Sequence, residues 1–201
     1  MTSITDSQKA IALAAKAGVF RTRDALASGI PTTTLTRLVR AKKLVRVGRG
    51  LYSLPERPMS EHMGMVEVAS RASQGVFCLL TALRFHNLTT QSPFELWLAL
   101  PNKVRKPSFD YPPVRVVRFS GEALTQGVET HTVDGVQVRV YSVAKTVADC
   151  FKYRNKIGQD VALEALQEAW REKRVTMDEL WRYAKVCRVA NVMRPYMESL
   201  P

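Results

Sequence analysis

The strongest constraint on this chain is a change of hydrophobic period near residue 44. Up to Lys43 the apolar residues recur at helical spacing; from Leu44 they alternate with polar ones, break at a glycine-flanked arginine, and resume as LYSL. SQKAIALAAKA (7–17) reads as a helix, with Ile11, Leu13, Ala14 and Ala17 turned inward and Gly18 as its stop. Val19 and Phe20 form a short buried link. Thr22 can cap a second short helix, RDALASG, whose Asp24 complements the positive helix N-terminus. Gly29 ends it, Ile30 plugs the core, and Pro31 opens a third helix, TTTLTRLVRAKK, with Leu35, Leu38 and Val39 as one inner stripe. LVRV (44–47) and LYSL (51–54) then make a β-hairpin, with Gly48 and Gly50 freeing the chain to reverse and Arg49 at the tip. Helix, helix, turn, helix and hairpin within about 50 residues is the order of a winged helix-turn-helix, whose third helix enters the major groove and whose hairpin is the wing.

Charge follows the same division. Residues 1–57 hold 11 Lys and Arg against 3 Asp and Glu, and residues 58–201 hold 19 against 15. The first part therefore carries two thirds of the net +12. Charge concentrated this way points to a polyanion, and to nucleic acid rather than membrane, since no basic amphipathic anchor helix is evident. No apolar run approaches the roughly 20 residues of a membrane span. The alanine-rich N-terminus, interrupted by two lysines, reads as a helix rather than a signal peptide. Cys78, Cys150 and Cys187 lie far apart without metal spacing, as expected of free buried thiols in a reducing compartment.

Beyond the PERP segment (55–58), which reads as a linker, the composition becomes ordinary. Residues 61–72 and 76–86 read as helices, and FELWLAL (94–100), VRVVRF (114–119) and VQVRVYS (136–142) as strands. Ser142 is placed to cap a helix, VAKTVADCFKYR; Gln159 to Lys173 is another. Thr176 and Glu179 have the spacing of a capping box opening the last long helix. The expected architecture is α+β: a winged helix-turn-helix over 1–57, then a mixed α/β domain over 58–201 with a small sheet and several helices.

No phosphate-cradling glycine loop, zinc spacing, HExxH or nucleophile elbow occurs. The acids Asp110, Asp134 and Asp149 stand apart, and Glu164, Glu168 and Glu172 repeat along one helix face as a solvated stripe or partner surface does. Catalysis, cofactors and metals are therefore not expected. The expected contacts are to double-stranded DNA. Arg37 and Arg40 face outward on the third helix and can donate to guanine edges or phosphates. Thr32, Thr33, Thr34 and Thr36 are short donors near its start. Lys42, Lys43 and Arg46 suit backbone phosphates, and Arg49 a phosphate or the minor groove. Lys145, Lys152, Arg154 and Lys156 are basic enough to meet DNA or an acidic partner.

GVFRTRDALASGIPTTTLTRLVRAKKLVRVGRGLYSLP (18–55) resembles the N-terminal winged-helix domain of the AbiEi antitoxins of bacterial AbiE-type (type IV) toxin–antitoxin and abortive-infection systems. The matching features are Gly18, the Gly29-Ile30 turn, the Leu35/Leu38/Val39 helix, Leu44, and Arg49-Gly50-Leu51-Tyr52 ending at Pro55. LLTALRFHNLT, FELWLALP and YSVAKTVADCFKYRNKIGQDVALEALQEA are similar to the family's C-terminal domain. The resemblance implies a cytoplasmic, non-enzymatic antitoxin, acting in phage defence. It would bind and repress its own promoter and neutralise a cognate nucleotidyltransferase-like toxin through residues 58–201, with self-association as a further expectation. A solitary winged-helix regulator without a toxin is the alternative. The chain lacks the Gly-Ser and Asp-x-Asp of a nucleotidyltransferase core, so it is not itself such a toxin.

Overall fold

The computed structural model describes residues 4–58, 60–91, 93–109 and 111–201. The chain divides into two compact units: one runs to Arg71 and includes Thr132–Val138, the other comprises Ala72–His131 and Arg139–Pro201.

The first unit begins with α1 (Asp6–Ala17). Thr5 caps it: its hydroxyl accepts from the Gln8 amide at 3.3 Å, and the Gln8 side chain accepts from the Thr5 amide at 2.9 Å. Next come β1 (Phe20–Arg21), α2 (Thr22–Ala27), α3 (Thr32–Arg40), β2 (Val45–Gly48), β3 (Leu51–Ser53) and α4 (Met63–Arg71). The expected order of helices and hairpin is present. The link at Phe20 is a strand, however: Phe20 pairs with Tyr52 and Arg21 with Leu51, so the sheet has three strands in the order β1-β3-β2. Thr22 is the first residue of α2 rather than its cap, and the Asp24 carboxylate takes the Arg21 amide at 2.8 Å. Ala10, Ala14, Phe20, Ala25, Ile30, Leu35, Leu38 and Leu44 make the core. Each large side chain removed from water there contributes roughly 1.5–3 kcal/mol.

The wing shows where the two glycines differ. Gly50 has φ 72°, a left-handed conformation that a side chain would strain. Gly48 does not; its register partner is Leu51, and a Cβ there would lie 3.1 Å from the Leu51 methyl. At Gly48 the constraint is close packing rather than reversal: the Leu51 methyl would have to give by a few tenths of an ångström to admit a side chain. Between Arg46 and Gly48 the register shifts, so Val47 is the extra residue of a bulge and the simple alternation of 44–47 breaks.

Beyond Arg71 the chain adds β4 (Val76–Phe77), α5 (Leu79–Phe85), β5 (Leu96–Pro101), β6 (Val114–Phe119), α6 (Glu122–Thr125), β7 (Val128–Val133) and β8 (Val136–Tyr141). Then follow α7 (Val143–Lys152), α8 (Arg154–Ile157), α9 (Gln159–Arg171), α10 (Met177–Val186) and α11 (Ala190–Glu198). The mixed five-stranded sheet runs β6-β5-β4-β8-β7; β4 is antiparallel to β5 and parallel to β8, and β5 is parallel to β6. The helix expected over 76–86 is thus a central strand followed by a helix. A strand buried on both faces is apolar throughout and carries no alternation. β7, an edge strand of mostly polar residues, had too little apolar content to be read as one. The capping box at Thr176 and Glu179 is present. Ser142 occupies the N-cap of α7, but among the described residues its buried hydroxyl has no hydrogen-bond partner. All three cysteines are free and buried.

Candidate nucleic-acid interface

The outward face of α3 is set by phase. Leu35 and Leu38 are buried, leaving Thr32, Thr33, Thr36, Arg37 and Arg40 exposed. Thr34 falls on the wrong side. It lies four residues before Leu38, on the inner stripe, and is only 7% exposed, so it does not join the candidate contacts. Lys42 and Lys43, in the turn after α3, and Arg46 and Arg49, on the wing, are exposed. No acidic residue occurs between Asp24 and Glu56. Among the described residues none of Arg37, Arg40, Lys42, Lys43, Arg46 and Arg49 has an ion-pair partner. Such a surface keeps its positive potential for a ligand instead of neutralising it internally.

Three of these side chains are held in place. Arg37 donates from Nη2 to the Ser7 hydroxyl of α1 at 2.8 Å. Arg46 Nε donates to the Gly48 carbonyl at 3.3 Å. The Thr36 hydroxyl donates back to the Thr32 carbonyl at 3.2 Å. Among the described residues Arg40 and Arg49 have no such tether. α3 starts from Pro31 without a side-chain cap; the Thr34 amide donates to the Pro31 carbonyl at 3.0 Å, and among the described residues the Thr32 and Thr33 amides are left for an outside acceptor such as a phosphate.

The β1–β3 pairing adds two cations that periodicity did not single out. The Thr22 amide and hydroxyl both donate to the Gly50 carbonyl, at 2.9 and 3.3 Å, and bring the start of α2 to the wing turn. Arg21 and Arg23 flank Thr22. The Arg21 guanidinium is pushed below its usual range by burial and then by the charge of Arg23, with Asp24 opposing. A two-residue strand is too short to announce itself by alternation; only the pairing reveals these neighbours.

Among the described residues no group of three or more His, Cys, Asp or Glu is placed to hold a metal. Asp110 lies outside the described residues. Asp134 accepts from the Ser60 hydroxyl at 2.5 Å. Asp149 does not stand apart: it is fully buried and pairs with Lys145 at 2.6 Å. Burial still raises its carboxyl pKa, with Lys145 opposing. Lys145, equally buried, cannot meet a polyanion. Arg154 is half-buried and donates to the Phe151 carbonyl, whereas Lys152 and Lys156 are exposed. In the acidic stripe, Glu168 pairs with Arg171 at 2.5 Å and Glu172 with Arg174 at 3.8 Å. Burial raises the Cys78 and Cys150 thiols well above their usual range and pushes Cys187 up to about 12, so none is a ready thiolate. Among the described residues no helix is long and apolar enough to cross a membrane.

Residues 8–55 match the model of a family described as transcriptional regulator, AbiEi antitoxin. The match spans α1 through the wing. The whole chain is similar in fold to the crystal structure of the RV2827C protein from Mycobacterium tuberculosis, with a TM-score of 0.62 over 100% of this chain and 80% of that one. At 13% identity that likeness is one of fold alone. No curated protein matches.

Proposed function

From an N-terminal segment that carries the AbiEi-type regulator module, we propose that this protein is a cytoplasmic antitoxin that binds and represses its own promoter. Residues 1–57 read the DNA, α3 in the major groove and the wing beside it. Arg37 and Arg40 address base edges or phosphates; Thr32, Thr33, Thr36, Lys42, Lys43, Arg46 and Arg49 hold the backbone. Residues 58–201 neutralise a cognate nucleotidyltransferase-like toxin, and the pair serves abortive infection in phage defence. Self-association would present two winged helices to a two-fold DNA site.

The observation that carries the DNA half is the coincidence of three things on residues 25–55: the family match, an unbroken run without acids, and an exposed cationic face that, among the described residues, has no internal ion pairs. The neutralising half rests on the resemblance of the later segments. A combined assay tests both. The full chain is co-expressed with the neighbouring gene, and growth is scored beside a reporter driven by the chain's own promoter. An Arg37→Ala/Arg40→Ala/Arg49→Ala variant should lose repression and still rescue growth. Repression unchanged in that variant contradicts the DNA reading. A neighbour that is harmless alone contradicts the antitoxin reading and leaves a solitary regulator.

A further inference from the structure

A cavity of about 620 Å³ in the second unit is bordered by the turn into α6 and by the C-terminal ends of α7 and α10. Ser120, Gly121, Glu122, Lys152, Lys185 and Arg188 supply its polar lining. Three cations thus face one carboxylate. Lys152, Lys185 and Arg188 are all exposed, and among the described residues none has an ion-pair partner.

Their convergence has a structural cause. Lys145, Asp149 and Lys152 lie at i, i+4 and i+7 on one face of α7. Asp149 accepts from Lys145 through one oxygen and from the Cys187 thiol, at 3.2 Å, through the other. That buried tie pins the end of α10 to α7, and Cys187 lies between Lys185 and Arg188 in sequence. The same contact that satisfies the buried acid therefore sets Lys152 opposite Lys185 and Arg188. A lysine in the last turn of a helix is accounted for by the helix dipole, which explains Lys152 and Lys185 singly. It does not explain Arg188, which lies beyond α10, or the gathering of all three around one cavity.

We propose that this cavity binds a phosphate-bearing ligand, with Lys152, Lys185 and Arg188 as its cationic clamp. A guanidinium fork flanked by ammonium groups matches phosphate oxygens, and the volume falls in the range of about 300–1,000 Å³ that small-molecule sites occupy. The phosphate can belong to a free nucleotide or to a nucleic-acid backbone. The site is independent of the winged helix and of the promoter-binding reading.

The test titrates the full-length protein with ATP by calorimetry at low salt, and with duplex DNA by mobility shift, beside Arg188→Gly and Lys152→Gln/Lys185→Gln variants. Arg188 has φ 59°, a conformation that glycine adopts without strain, so its replacement removes the guanidinium without loading the fold. The second variant alters only exposed lysines and serves should the first melt early. ATP affinity falling about tenfold or more in the variants, with DNA affinity unchanged, assigns the site to nucleotides. DNA affinity falling in the variants, with no ATP binding by the wild type, assigns it to a nucleic-acid backbone. Equal affinity of wild type and variants for both probes overturns the proposal.

Discussion

Replacing Arg40 with alanine separates binding from folding. Its side chain is exposed on α3 and, among the described residues, has neither a hydrogen bond nor an ion pair. Truncation at such a site costs the fold no more than about 0.5 kcal/mol. For a chain of this length that is a melting shift of at most about 2 °C. On DNA the same change removes a bidentate donor. If Arg40 reads a base, the loss is about 1–3 kcal/mol, or roughly 5- to 150-fold in affinity, and relaxes sequence preference at one position. If it holds a phosphate instead, affinity falls evenly across sequences and the salt slope shrinks by about 1. Arg37→Ala is the paired measurement: it also breaks the 2.8 Å bond to Ser7, so it should cost the fold a further 0.5–1.5 kcal/mol or so. Mobility-shift titrations at two salt concentrations, with thermal melts of both variants, give all four numbers. Unchanged affinity in both variants refutes the assignment of α3 as the reading helix.

Arg49→Ala should weaken DNA binding while leaving growth rescue against the toxin intact; loss of rescue with normal DNA binding would reverse the division of labour between wing and C-terminal residues. Asp149→Ala strands the fully buried Lys145 ammonium, so chemical denaturation should show a loss of about 3–5 kcal/mol, and a loss below about 1 would show the pair to be energetically idle. His86 is buried with Nε2 2.7 Å from the Tyr141 carbonyl, and burial lowers its pKa. A histidine whose pKa is depressed on folding binds fewer protons folded than unfolded, so stability contributed by its neutral form is lost as pH drops below its unfolded value of about 6.5. His86→Gln should flatten that decline between about pH 7 and 5; an identical decline in the variant contradicts the argument.

The winged helix was legible because its signals are local. Helical spacing, a glycine turn and a two-residue period each show within a few positions, and they located α3 and the wing to within a few residues. What escaped depended on partners distant in sequence. β1 is two residues long and exists only because β3 lies beside it. β4 is apolar on both faces, so helix and strand look alike in it. Thr34 resembles its neighbouring threonines by residue type, but its phase along α3 puts it inside. The Asp149–Cys187 contact spans 38 positions, and no spacing rule links a thiol to a carboxylate across that distance. Gly48 and Gly50 look equivalent as letters; their backbone angles and neighbours assign them different roles.

The most direct test is a mobility-shift titration of the purified full-length protein on the duplex upstream of its own coding sequence, beside an unrelated duplex of equal length, over a range of salt. The account predicts a clear preference for its own upstream DNA and a steep fall in affinity with salt, close to 0.9 per phosphate neutralised. Equal binding of the two duplexes, or affinity indifferent to salt, would contradict it.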